Sequence, residues 1–116
     1  MADRNWSTRE GDTGYKDFRL TDIDAAGVEG AVNLTGVTAV VFRGQSLVDG
    51  SLFGYTTVAI QDAVNGVVRY TQGAAHFPAA LSPYRGYFDV TAPGGIQQKF
   101  PQERDLEITS TPKYQA

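Results

Sequence analysis

The sequence contains no cysteine and only one histidine among its 116 residues. Without cysteine the chain can form no disulfide, no thiolate metal site and no cysteine nucleophile. A single histidine cannot provide the sets of imidazole ligands that zinc enzymes use. The net charge of −3 does not favour binding to nucleic acid. We therefore expect no cofactor, no nucleic-acid partner and no enzyme activity.

Long hydrophobic runs are also missing. The longest run covers residues 37–42 and is interrupted by Thr38, whereas a membrane-spanning helix needs about 20 apolar residues. Residues 1–6 are polar and charged, without the apolar stretch of a signal peptide. These features predict a protein that is made and kept in a cytoplasm and has no membrane partner.

What the sequence does contain is 13 glycines and many short segments in which apolar and polar residues alternate. Alternation with a period of two is typical of strands, and no long window has apolar residues at helical spacing. The length fits one domain. We therefore predict a single all-β domain over residues 1–116, with short polar arms at 1–5 and 111–116.

Clusters of glycine, proline, asparagine and aspartate separate these segments and predict seven or eight strands. The most apolar one carries Val40 and Phe42 on one face and is predicted to be central in its sheet. We expect a turn at residues 22–27, a polar loop at 44–50, and a type I′ turn at Asn65-Gly66. The predicted strands cover residues 6–10, 15–21, 37–43, 52–61, 67–71, 84–90, 96–100 and 106–111.

Amphipathic strands in this number favour an immunoglobulin-like antiparallel β-sandwich, because two such sheets can bury their apolar faces against each other. Tyr84 strengthens this prediction. It begins a late strand directly after the corner at residues 81–83, where sandwich domains often place a tyrosine whose hydroxyl bonds to the upstream main chain.

The order and spacing of several segments resemble the N-terminal immunoglobulin-like domain of the phage baseplate upper protein family. The resemblance covers residues 9–110, and this sequence departs from the family pattern at 44–54 and 79–83. The segments that carry it are Gly11-Asp12-Thr13, Leu34-Thr35-Gly36, Gly66-Val67-Val68-Arg69-Tyr70, Tyr84-Arg85-Gly86-Tyr87-Phe88-Asp89-Val90, Phe100-Pro101 and Leu106-Glu107-Ile108.

The resemblance implies a non-enzymatic structural protein of a tailed phage, located in the virion after assembly in the host cytoplasm. Its expected place is the tail, baseplate or neck, where it would bind other virion proteins in a ring or in multiple copies. Long family members continue into further regions, so the resemblance implies the docking domain alone. Two alternatives remain: a carbohydrate or host-surface binding module, and a capsid decoration protein.

Aromatic residues outside the predicted core positions are the candidates for partner binding, because such residues are enriched at protein interfaces and sugar-binding surfaces. Trp6 lies near the N-terminal arm, and Phe53 and Tyr55 follow a predicted loop. The complete set is Trp6, Phe53, Tyr55, Tyr87 and Tyr114.

Asp22 and Asp24 match the start of a calcium-binding loop, D-x-D-x-x-G. Position twelve of that loop would be Asn33, where a bidentate glutamate is needed. The sequence therefore favours a solvated turn over a calcium site.

Overall fold

A computed structural model describes residues 5–23, 25–101 and 105–112. They form an all-β structure with one short 3-10 helix, Ala79–Leu81. The strands are β1 (Asn5–Arg9), β2 (Tyr15–Arg19), β3 (Thr21–Ile23), β4 (Glu29–Ala31), β5 (Ala39–Ser46), β6 (Leu52–Tyr55), β7 (Val58–Asp62), β8 (Val67–Thr71), β9 (Tyr84–Thr91), β10 (Gln97–Phe100) and β11 (Leu106–Thr111).

The strands form two larger sheets and one hairpin. The first sheet has the order β1-β11-β9-β5-β6, and β10 also pairs with β9; the second has the order β2-β8-β7. Within the described residues, strands β3 and β4 pair only with each other. All pairs are antiparallel except β1 with β11, which is parallel.

The two larger sheets share one aromatic core. Phe18 of β2 contacts Phe88 of β9 with ring centroids 5.0 Å apart, and Phe88 is stacked on Phe42 at 4.5 Å. This face-to-face packing confirms the all-β prediction and is consistent with a β-sandwich. Fully buried core residues include Leu20, Leu34, Phe42, Val68, Tyr70, Phe77, Phe88 and Ile108.

Strand β9 follows the predicted alternation. Tyr84, Phe88 and Val90 are buried, and the side chains between them point outward. The Tyr84 hydroxyl donates a hydrogen bond to the carbonyl oxygen of Pro78 at 2.5 Å. The predicted bond from this tyrosine to the upstream main chain is therefore present, and it fixes the corner that leads into β9.

The prediction of one strand over residues 52–61 was wrong. Strands β6 and β7 lie in different sheets, and the chain crosses between them at residues 56–57. The crossing is held at Thr57, whose hydroxyl donates to the Thr71 carbonyl at 2.6 Å and whose carbonyl accepts the Thr71 N–H at 2.9 Å. Nothing in the sequence at Thr56 and Thr57 indicates that the chain changes sheet there.

The polar loop predicted at residues 44–50 begins later, because β5 continues to Ser46. Gly44 pairs with Gly86 of β9, and the Phe53 ring lies beside both glycines. A Cβ atom on Gly44 would lie 2.0 Å from the Arg85 carbonyl oxygen. Glycine here is therefore required by close strand packing and does not mark the end of a strand.

Two turn predictions also differ from the structure. Asp22 lies in β3, so the turn predicted at 22–27 is shorter and belongs to the β3–β4 hairpin. At the β7–β8 turn only Gly66 has a positive φ, so the turn is not type I′. Instead the Asp62 carboxylate accepts hydrogen bonds from the main-chain N–H and side-chain amide of Asn65.

The predicted arms overlap the first sheet. Asn5 and Thr111, which were placed in arms, belong to β1 and β11. Residues 1–4 and 113–116, the rest of those arms apart from Pro112, lie outside the described residues.

Candidate functional site

The turn between β5 and β6 exposes apolar side chains. Leu47 and Val48 are exposed in the turn, and Leu52 at the start of β6 is 83% exposed. Scattered exposed apolar residues are ordinary on protein surfaces, whereas adjacent ones indicate a contact surface. We call residues 47–55, which comprise this turn and β6, the hairpin edge.

The turn of the hairpin edge is held in one conformation by Ser46, which is fully buried. The Ser46 hydroxyl donates to the Leu81 carbonyl at 2.7 Å and accepts the N–H of Val48 at 3.0 Å. The Asp49 carboxylate accepts two bonds from Ser51, which lower the pKa of that carboxyl. The exposed apolar residues therefore project from an ordered turn.

The outer side of β6 has no strand beside it in the described structure, since β6 ends the sheet order. The Ser46 N–H donates to the Ser51 carbonyl at 2.9 Å. Residues alternate along an antiparallel pair, so the main-chain groups of Leu52 and Gly54 point away from β5. Residues 50–61 contain neither a charge nor a proline, the usual protections of an exposed edge.

Phe53 and Tyr55, two of the predicted partner-binding residues, lie in β6 and are half-buried. The centroids of the Phe53 and Phe42 rings are 5.7 Å apart. The Tyr55 ring is stacked on the His76 ring, with centroids 3.6 Å apart. Both aromatic residues pack against the core. The exposed side chain of this strand is that of Leu52, which was not among the predicted residues.

Trp6, another predicted partner-binding residue, lies at the opposite edge of the first sheet in β1 and is half-buried. Its ring makes edge contacts with Phe18, Tyr70 and Phe77 at 5.6 to 5.7 Å. Trp6 therefore closes the core at the open side between β1 and β2.

Outside Trp6 a groove of about 500 Å³ opens between the two sheets. We call it the Trp6 groove. It lies where the first sheet ends at β1 and the second sheet ends at β2. Its lining includes Trp6, Ser7, Thr8, Lys16, Tyr70 and Gln72.

The walls of the Trp6 groove are tied together by Gln72, which is 4% exposed. Its side chain accepts a hydrogen bond from the Thr8 hydroxyl at 2.5 Å and donates to the Arg9 carbonyl at 2.9 Å. Its main-chain N–H donates to the Gly14 carbonyl at 2.9 Å. One buried residue thus fixes both β1 and the turn that leads into β2.

Lys16 points into the Trp6 groove from β2 and is half-buried, with its ammonium 5.4 Å from the centre of the Phe18 ring. Within the described ranges it has no ion-pair partner, unlike Arg69, which binds Asp17 at 2.8 Å on the outer face of the same sheet. The hydrogen bonds from Arg69 lower the pKa of the Asp17 carboxyl.

Tyr87, the fourth predicted residue, lies in β9 on the outer face of the first sheet. The Lys99 ammonium is 4.9 Å from its ring centre, and Lys99 also forms an ion pair with Asp105 at 2.6 Å. Arg43 and Asp89 form a second pair on this face, at 2.9 Å. The charges around Tyr87 therefore have partners. Tyr114, the fifth predicted residue, lies outside the described residues.

His76 lies between the two edges. Its Nδ1 accepts the Gly73 N–H at 3.0 Å and lies 2.5 Å from the Tyr70 hydroxyl. Because a main-chain N–H can only donate, Nδ1 is unprotonated and the ring proton is on Nε2. Burial lowers the pKa of His76 and raises that of Tyr55, so both groups are neutral near pH 7.

The calcium interpretation gains no support from the described part of the chain. Asp22 is exposed in β3, and Asp24 lies outside the described residues. Among residues 5–23, 25–101 and 105–112 there is no group of three or more His, Asp or Glu side chains that could hold a metal ion. Within the same ranges no helix is long and apolar enough to cross a membrane.

Three residues of these two sites were missed by the sequence analysis: Leu52, Lys16 and Gln72. Leu52 followed a segment read as polar, although Leu47 and Val48 inside that segment were a usable signal. Lys16 alternates with Phe18 and so could have been placed on the inner face of its strand. Nothing in the sequence indicated that Gln72 is buried.

The sequence matches no protein-family model, and no curated protein is similar to it at a significant level.

Proposed function

We propose that this chain is a non-enzymatic, immunoglobulin-like β-sandwich that acts as an assembly module and binds other protein subunits through the hairpin edge. The observation that carries the proposal is the outer side of β6, which has no strand beside it in the described structure and carries the 83% exposed Leu52 next to an ordered turn. We further propose that the subunits are those of a tailed-phage virion, in the tail, baseplate or neck.

The strand order supports the immunoglobulin-like part of the proposal. In that fold one sheet contains strands B, E and D, and the other contains G, F and C, with C′ added in variable-type domains. Here β2, β8 and β7 would take the places of B, E and D. Strand β5 would be C, β6 would be C′, β9 would be F, and β10 with β11 would form G. The Tyr84 bond to Pro78 fits strand F of the same scheme.

The hairpin edge supports protein binding in two ways. The outward main-chain groups of Leu52 and Gly54 can pair with a strand from a partner, which is a common mode of recognition at sheet edges. The side chains of Leu47, Val48 and Leu52 add apolar area beside that edge. Because the turn is already ordered by Ser46, little conformational entropy would be lost on binding.

The virion context is supported by the sequence resemblance to the phage baseplate upper protein family. In that context the module would be present in several copies, and each copy would contact neighbouring virion proteins. A tail, neck or baseplate position demands a stable scaffold without catalytic groups, which agrees with the composition of the chain.

Mass spectrometry of purified particles tests the virion context. Particles of the phage that encodes this chain should contain it in stoichiometric amounts with known tail or capsid proteins. If the chain is missing from washed particles but present in infected cells, the virion proposal is wrong.

A pair of charge-inserting variants tests the hairpin edge. L52K places an ammonium at the proposed contact, and I96K places one on an exposed residue of the β9–β10 turn, at the opposite end of β9 from the β5–β6 turn. We expect L52K to reduce the amount of tagged chain in particles by about tenfold, which corresponds to about 1.4 kcal/mol of binding free energy. I96K should be incorporated normally. Equal incorporation of both variants would show that the hairpin edge is not the contact.

A further inference from the structure

We propose that the Trp6 groove binds an acidic saccharide, meaning a sugar that carries a carboxylate. This site is at the opposite edge of the first sheet from the hairpin edge, and the inference does not depend on the proposed assembly function. It rests on the size of the groove, its lining and its excess of positive charge, since two basic residues, Arg9 and Lys16, line it with one acidic residue, Asp12.

The size and lining fit a small polar ligand. A volume of about 500 Å³ lies within the roughly 300 to 1,000 Å³ of typical ligand pockets. Trp6, which is half-buried, supplies aromatic surface, which suits the C–H groups of a sugar ring. Ser7 and Thr8 supply hydroxyl groups beside it. Aromatic surface together with hydroxyls is the lining expected for a sugar.

The charge of the groove selects an acidic ligand. Lys16 is half-buried and has no ion pair within the described ranges, and Arg9 lines the same groove. A carboxylate placed against Lys16 would form a charge-assisted hydrogen bond, which is stronger than a neutral one. Asp12 also lines the groove, but its carboxylate accepts the Gly14 N–H at 3.1 Å and is thereby fixed in the turn.

The groove is preformed. Gln72 bridges its walls, through bonds to Thr8 and Arg9 on one wall and to Gly14 on the other. These bonds hold the walls in place before a ligand arrives, which lowers the entropy cost of binding.

Trp6 is the single tryptophan of the chain, so its fluorescence reports directly on this groove. We would titrate the full chain with trigalacturonate and follow Trp6 emission, with calorimetry as a second measurement. The methyl ester of the same trisaccharide removes the charge but keeps the rings. Triglutamate that is acetylated at its N-terminus and amidated at its C-terminus keeps the three carboxylates but removes the rings. We expect saturable binding of trigalacturonate alone, weakening as salt is raised because the contact is ionic.

The variant K16Q and the control R19Q each remove one positive charge from β2. Lys16 lines the groove, whereas Arg19 is an exposed residue of the same strand outside it. We expect K16Q to weaken trigalacturonate binding about tenfold, as for the loss of one charge-assisted bond. R19Q should bind like the original chain, and both variants should keep its thermal unfolding midpoint.

Four results would overturn the inference. The first is no saturable binding of trigalacturonate up to about 10 mM, a concentration at which even weak sites fill. The second is equal binding of the methyl ester, and the third is equal binding of triglutamate, which would indicate a general anion site. The fourth is equal affinity of K16Q and R19Q.

Discussion

The first sheet ends in two edges that use aromatic residues in the same way but present different chemistry to solvent. At one edge Phe53 lies half-buried against the core, and at the other Trp6 does the same. Beside Phe53 the surface carries the exposed Leu52 together with the charged side chains of Arg43, Arg85 and Asp105. Beside Trp6 it carries hydroxyl groups and Lys16 in a groove.

The difference between the two edges lies in the residues beside the aromatic rings. Trp6 and Phe53 both pack against the core. Their neighbours differ, with an exposed leucine on β6 and a half-buried lysine on β2. Each edge also depends on one buried polar residue, Ser46 at the hairpin edge and Gln72 at the Trp6 groove.

The largest effect is expected at Gly44, which holds the hairpin edge close to β9. In Gly44→Ala the new Cβ would lie 2.0 Å from the Arg85 carbonyl oxygen and 2.7 Å from the Phe53 ring. Main-chain atoms cannot move aside cheaply, so we expect a loss of about 3 kcal/mol in the free energy of unfolding, measured with urea.

Gly30→Ala is the matched control, because a Cβ there meets nothing within 4 Å. It should change stability by less than about 0.5 kcal/mol. If Gly44→Ala is equally harmless, Phe53 and β9 are not in close contact, and the description of the hairpin edge is wrong.

The half-buried aromatic rings at the two edges should contribute about equally to the free energy of unfolding. Trp6→Ala and Phe53→Ala each remove a half-buried ring from the core, so we expect each to lower the free energy of unfolding by about 2 kcal/mol, less than for a fully buried ring. Tyr15→Ala is the comparison for a mainly exposed ring, which contacts the Arg69 guanidinium at 3.9 Å. It should cost less than about 1 kcal/mol. A loss below that value for Trp6→Ala would mean that Trp6 is a surface residue.

The two buried polar residues should act independently. Ser46→Ala removes a hydroxyl that bonds Leu81 and Val48, and Gln72→Ala removes a carboxamide that bonds Thr8 and Arg9. Each leaves buried partners unsatisfied, at a cost of about 1 to 3 kcal/mol. Since they share no partner, the double variant should be additive within about 0.5 kcal/mol. A larger coupling in urea unfolding would show that the two edges are linked.

The sequence was sufficient to predict the strands whose residues alternate clearly. β9 and β11 follow from the spacing of their apolar residues, and Tyr84 follows from its position after a proline corner. Alternation reports on which face a side chain occupies, so it works wherever one face is buried. It could not show that residues 52–61 divide between two sheets, because Thr56 and Thr57 fit a continuous strand equally well.

The candidate sites were less predictable for a physical reason. Each is held by a bond between residues distant in sequence, from Thr8 to Gln72 across 64 positions and from Ser46 to Leu81 across 35. A single sequence without a motif does not contain that proximity. Two of the aromatic candidates, Trp6 and Phe53, lie at these two edges, but aromatic content did not indicate the exposed or charged groups beside them.

The smallest expected effect concerns His76, which touches both edges through Tyr55 and Tyr70. Burial lowers the pKa of His76 from its ordinary value of 6.5, so the unfolded chain binds a proton at a higher pH than the folded one. Stability is therefore complete above about pH 6.5 and is lost as pH falls towards the folded pKa. Protonation would also place an N–H at Nδ1, opposite the Gly73 N–H whose hydrogen bond Nδ1 now accepts.

Asp17, Asp49 and Asp62 have lowered pKa values, so their contributions to stability are lost only below their ordinary pKa of 3.8. Among the described groups with a shifted pKa, His76 is therefore the one that titrates between pH 6.5 and 5. The thermal unfolding midpoint should fall over this range in the original chain and stay nearly level in His76→Gln; parallel curves would mean that His76 is not buried between the two tyrosines.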